Sequence, residues 1–158
     1  MIRKMLVVSA VAAASAFAGP VAAEKAPTLS TGYSMQCAAG TTPAAAEGKR
    51  LGFVGCVDAQ NNAHGNTIFI YANGTVEDVG VMNHGHRTGL WKHFDRSGTK
   101  VGETTFSNDH FQGIRKTFHA NGQVRTVDNW NQGALVGERQ YFNAAGEQVA
   151  PWAPDSNN

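Results

Sequence analysis

The chain has 158 residues, with 13 Lys plus Arg against 12 Asp plus Glu, a formal net charge of +1, and 18 glycines. Near-neutral charge argues against the basic footprint of a nucleic-acid binder and the clustered cations of a protein held on anionic lipid. The length allows one domain with a modest core.

Arg3 and Lys4 form a short basic start, and the run from Met5 to Ala18 carries no charge. Gly19-Pro20 breaks that run, and Val21-Ala22-Ala23 supplies the small residues that a signal peptidase reads. The pattern predicts a secretory signal peptide over residues 1–23, cleaved after Ala23. A membrane anchor is the alternative, but a spanning helix needs about 20 apolar residues, and this run has 14. The mature chain, Glu24 to Asn158, is therefore expected to be periplasmic or secreted, with no transmembrane segment.

Cys37 and Cys56 are the only cysteines. In an exported protein an even pair reads as a structural disulfide. A metal pair or a reactive thiol is the alternative, but two Cys at this separation match no zinc spacing. Residues 24–62 are expected to be a leader and cap. Glu24 to Ser34 reads as a loose leader, the stretch between the cysteines as a loop, and Leu51 to Val57 as a strand running toward residue 63.

Residues 63–150 are periodic. Gly65, Gly89, Gly113 and Gly137 lie 24 residues apart, as do Gly74, Gly98, Gly122 and Gly146, and Ile70, Phe94, Phe118 and Phe142 move with them. Such self-similarity marks a repeat architecture. In the unit from Gly89, Leu90 to Phe94 is strand-like, Asp95 to Gly98 is a turn, and Thr99 to Phe106 is a second strand. Ser107 to Gln112 then connects to Gly113. Asn73-Gly74 and Asn121-Gly122 tolerate positive φ and make tight hairpins. The second strand has its own column, Met82, Phe106 and Trp130, expected to share a face with Ile70, Phe94, Phe118 and Phe142. No 3.6-residue apolar stripe suggests a helix. The expected fold is all-β: four 24-residue hairpins behind a disulfide-closed N-terminal cap, with residues 151–158 as a tail.

A unit reading Gly-x-Trp-x-x-Phe, then a turn Gly, then an aromatic strand, resembles the MORN repeat family in its bacterial YwqK-like variant. Gly89 to Phe94 with Gly98 is the fullest copy. Arg115, Arg139 and Thr67 stand where the Trp would be in the other units, and Asp109 replaces a connector Gly. The resemblance implies an elongated single-layer antiparallel sheet that serves as a binding or scaffolding surface. It also implies an antitoxin label for some relatives and, by analogy only, association with membrane surfaces.

Six residues are candidates for a binding surface: Trp91 and Trp130 on an aromatic face with Phe94, Phe106, Phe118 and Phe142, and Lys92, Lys116, Arg115 and Arg139 in two cationic columns. Like charges side by side on neighbouring strands would be unfavourable without an acidic group nearby. His84, His86 and His110 have metal-ligating chemistry, but they read as solvated connector residues, so no metal and no cofactor is expected. Ser107, Asp109 and His110 lack the surroundings of a nucleophile elbow, and Glu103, Asp128 and Glu138 fall in unrelated columns, so no catalytic residue is assigned. The expected function is a non-catalytic envelope protein presenting its sheet to a protein partner. Neutralisation of a toxin or effector, and assembly through sheet edges, are the alternatives.

Overall fold

In a computed structural model the described residues are 22–27, 36–46 and 51–151. The expected signal peptide lies, but for Ala22 and Ala23, outside them, as does the tail beyond Pro151. Among the described residues no helix is long and apolar enough to cross a membrane.

The strands are β1 (Thr42–Ala46), β2 (Leu51–Val57), β3 (Ala63–Tyr71), β4 (Val76–Asn83), β5 (His86–Phe94) and β6 (Lys100–Ser107). They continue as β7 (His110–Phe118), β8 (Val124–Asn131), β9 (Ala134–Leu135), β10 (Gln140–Phe142) and β11 (Gln148–Val149). All join one open antiparallel sheet in the order β1-β2-β3-β4-β5-β6-β7-β8-β10-β11, with β9 beside β8. From β1 to β8 each strand pairs with its neighbour in sequence, and β10 then pairs β8 past the short β9, so the sheet is a meander and no helix is needed to carry a crossover.

The connectors are shorter than the sequence suggests. His84-Gly85, Asn108-Asp109 and Gln132-Gly133 are two-residue turns with positive φ at both positions, the geometry that matches the twist of an antiparallel pair. His110 to Gln112 consequently belongs to β7. The two glycine columns divide the work. Gly98, at φ +77°, closes the turn after β5, where its N–H donates to Asp95 O at 2.9 Å. Gly89, at φ +66°, instead lies within β5, between the pairs Val79–Lys92 and Val81–Thr88 where the register shifts. Only a residue at ease with positive φ holds such a bulge.

The cap is more ordered than expected. Thr42–Ala46, placed in a loop by its composition, pairs with β2 along its length. Pro43 is tolerable because β1 is an edge strand. The Cys37–Cys56 disulfide is formed, with Cα atoms 5.7 Å apart, which fits an oxidising, non-cytoplasmic location. The start of the expected loose leader also docks. Ala26 N–H donates to Gly98 O at 2.7 Å, and Lys100 N–H donates to Glu24 O at 2.9 Å. The Glu24 carboxylate lies 2.6 Å from Lys92 Nζ and 2.8 Å from Lys100 Nζ.

Two apolar clusters hold the sheet. Cys56, Ile68, Val76 and Phe94 form one, with Ala26 and Cys37 packed on it, and Met82, Trp91 and Phe106 form the other. Trp91 and Phe94 are three residues apart on β5 and therefore point to opposite faces. The expectation that the Phe94 and Phe106 columns share a face is thus corrected: each face of the sheet has its own cluster.

Candidate functional site

Residues one repeat apart sit two strands apart, because the second strand of each hairpin lies between them. The aromatic ladder is therefore interleaved. Ring centroids step from Phe53 to Phe69 (6.0 Å), Trp91 (5.9 Å), Phe106 (6.3 Å), Phe111 (5.3 Å) and Trp130 (5.0 Å). Phe53, Phe69 and Phe111 replace Phe94, Phe118 and Phe142 in the aromatic face expected from the sequence. Arg87 lies over the ladder, its guanidinium 4.9 Å from the Trp91 ring centroid and 5.5 Å from that of Phe106. Trp91 is 0 % exposed, so it supports the sheet and offers no surface to a partner. Its Nε1 donates to Val81 O and Thr88 O, both at 3.2 Å.

The cationic columns are interleaved in the same way. Glu103 on β6 stands between Lys92 on β5 and Lys116 on β7. The like charges are separated by an acid, and the unfavourable juxtaposition does not arise. Arg115 and Arg139 share a different acid. Arg115 Nη1 lies 3.3 Å from Asp128 Oδ2, while Arg139 donates from Nε to Oδ1 at 2.6 Å and from Nη2 to Oδ2 at 2.9 Å. Asp128 is 1 % exposed. Burial raises its pKa, but hydrogen bonds and charge from Arg139, then from Arg115, outweigh that effect and hold it below the ordinary 3.8. The cluster arises where the Trp column departs from its motif. Trp91 faces Thr104 across its hairpin, Arg115 faces Asp128 across the next, and the Arg in place of Trp brings its counter-charge with it.

Around this cluster is a concavity of about 560 Å³ lined by Arg115, Thr117, Arg125, Arg139 and Tyr141, with Val149 and Pro151 at its end. Arg115 and Arg139 set two guanidiniums against one buried carboxylate, and the arginine fork suits carboxylates. Of the six sequence candidates, Arg115 and Arg139 meet here. Lys116 is one residue along β7, opposite Val127, and Trp130 ends the ladder with its Nε1 buried and unpaired. Lys92 is tied to Glu24. Repeat columns single out neither Asp128 nor Arg125. Asp128 is legible only through the hairpin register, which also pairs Gly113 with Trp130.

The histidines separate. His86 Nδ1 lies 2.6 Å from Asp109 Oδ2, whose Oδ1 accepts the Arg87 N–H at 2.7 Å. The Arg87 N–H, then His86, lower the Asp109 pKa. His110 sits beside Gly133 of the next turn. His84 Nδ1 lies 2.6 Å from Asp58 Oδ2, and its ring lies against that of His64, tilted by 54° with centroids 4.4 Å apart. The His84 hydrogen bond, then the Asn62 N–H, hold Asp58 at a pKa of about 2.

Residues 87–108 and 111–132 match the MORN repeat variant family. These are the β5–β6 and β7–β8 hairpins. No curated protein matches the chain.

Proposed function

We propose that the chain is an exported, non-catalytic binding protein whose sheet receives an acidic segment of a protein partner in the concavity walled by Arg115 and Arg139. MORN repeats on an open sheet fit a binding or scaffold role. The observation that carries the reading is the pair of guanidiniums gathered on buried Asp128, which holds cationic groups in place at the wall of a groove. Such pre-organisation lowers the entropic cost of binding. Export is supported by the signal-peptide pattern of residues 1–23 and by the disulfide. Neutralisation of an envelope toxin would use the same groove, with the toxin as the acidic partner.

The test is affinity capture from envelope extract with the mature protein, followed by mass spectrometry, run beside Arg115→Gln. That change removes one groove charge and leaves Arg139 on both oxygens of Asp128. A protein enriched by wild type and lost with Arg115→Gln is the expected result. Enrichment of nothing sinks the binding reading, and enrichment indifferent to Arg115 removes the groove from it.

A further inference from the structure

One side-chain cluster plays no part in the groove. Asp58 comes from the β2–β3 loop, His64 from β3 and His84 from the β4–β5 turn, and one ligand atom of each lies within 4.8 Å of the others. We propose that Asp58, His64 and His84 bind a divalent cation of the Zn²⁺ type, joining the β2–β3 loop to the first two-residue turn of the repeats.

The donor set fits. Two imidazoles and one carboxylate are a common protein contribution to a zinc site that keeps a fourth position for water. The carboxylate is already aimed. Asp58 Oδ1 accepts the N–H groups of Gln60 at 3.0 Å and Asn62 at 2.8 Å, while Oδ2 accepts a longer bond from Asn62 Nδ2 at 3.4 Å and faces His84. Ligands oriented by such outer hydrogen bonds bind metal more tightly. Ligand atoms of one tetrahedral Zn²⁺ are about 3.4 Å apart, so the cluster needs a small closure. The His84 side chain is 61 % exposed, which leaves it room to make that movement.

The chain contains its own comparison. Two periods further on, Gln112 and Gln132 occupy the places of His64 and His84. Gln132 N–H donates to Gln112 Oε1 at 3.0 Å, as His84 N–H donates to His64 Nδ1 at 3.3 Å. The residues at the turn have φ of 49° and 46°. Two glutamines therefore close this turn without imidazoles, and the histidine pair is not required by the fold. Asp58 is also particular to the first turn. In the 24-residue frame it stands where later repeats carry Met82, Phe106 and Trp130.

The test is calorimetric titration of tag-free, disulfide-intact mature protein with ZnCl₂, with melting temperature read with and without the metal. Saturable uptake of one ion per chain and a raised melting temperature are expected. The His64→Gln/His84→Gln double variant should keep the far-UV spectrum of wild type and bind at least about tenfold more weakly. His86→Gln, at the Asp109 pair, should bind as wild type does. Absence of saturable uptake by wild type overturns the proposal and leaves Asp58–His84 a hydrogen-bonded clip. Uptake retained by a folded double variant overturns it equally, because the ion then lies elsewhere.

Discussion

Among the described glycines, Gly80 leaves the least room for a side chain, because it lies under the Trp91 ring. A Cβ on Gly80 would come within 2.2 Å of Trp91 Cδ2, closer than any real Cβ approach, and the indole is too enclosed to move aside. Gly80→Ala should therefore cost about 3 kcal/mol or more through overpacking, read as a lowered midpoint in urea. A midpoint equal to wild type would mean that the ladder repacks freely. Gly80 lies outside both glycine columns. Sequence periodicity has no reason to single it out, since its requirement comes from a ring on the neighbouring strand. The positive φ at Asp109 is different in kind, because a connector Asp where other units have Gly is visible in the sequence. What the carboxylate does there, accepting from Arg87 N–H and facing His86, depends on the hairpin next door.

At the scale of the element, the third hairpin differs from the second by exchanging a stacked indole for an ion cluster. Removing one partner of a buried pair leaves an uncompensated charge. Arg139→Ala is thus expected to destabilise the C-terminal strands by about 3 kcal/mol and to raise the pKa of Asp128. The Asp128 pKa is lowered in the folded state, so its contribution is present above the ordinary carboxylate value of 3.8 and is lost as pH falls through the lower, folded pKa. Acid titration followed by tryptophan fluorescence should show wild type holding to lower pH than Arg139→Ala. Coincident transitions would separate Asp128 from acid stability. The sequence points to Arg115 and Arg139 as departures from a motif, whereas Asp128 belongs to no column. The reason is physical: repeat spacing relates equivalent residues two strands apart, and chemistry happens between adjacent strands.

For the whole molecule, an open meander ends in edge strands that are paired on one side only. The N-terminal end is secured by the disulfide across 19 residues of separation, worth about 3 kcal/mol in the chain-entropy account. It is secured also by Glu24 to Ala26 lying against Gly98, Thr99 and Lys100. Reduction is expected to release β1 while the sheet from β3 to β8 persists. Limited proteolysis under dithiothreitol should then cut within residues 36–46 and leave the repeats intact. Simultaneous loss of both would show one cooperative unit instead. At the C-terminal end the tie is the Arg139–Asp128 pair, and the strands shrink to three residues in β10 and two in β11.

The period of 24 residues, the turn glycines and the absence of a helical stripe determined by themselves an antiparallel sheet of hairpins, because turn chemistry and alternation act over a few residues. The even cysteine pair likewise pointed to the disulfide that is formed. Tertiary structure alone decided which residues meet. It split the Phe94 and Phe106 columns between two faces, interleaved acids between the lysines, and folded the cap segment Thr42–Ala46 into an edge strand. It also gathered Arg115 and Arg139 on Asp128, and Asp58 on His64 and His84. These outcomes depend on bulges and cross-strand register, which a single sequence encodes only through the partners each strand acquires on folding.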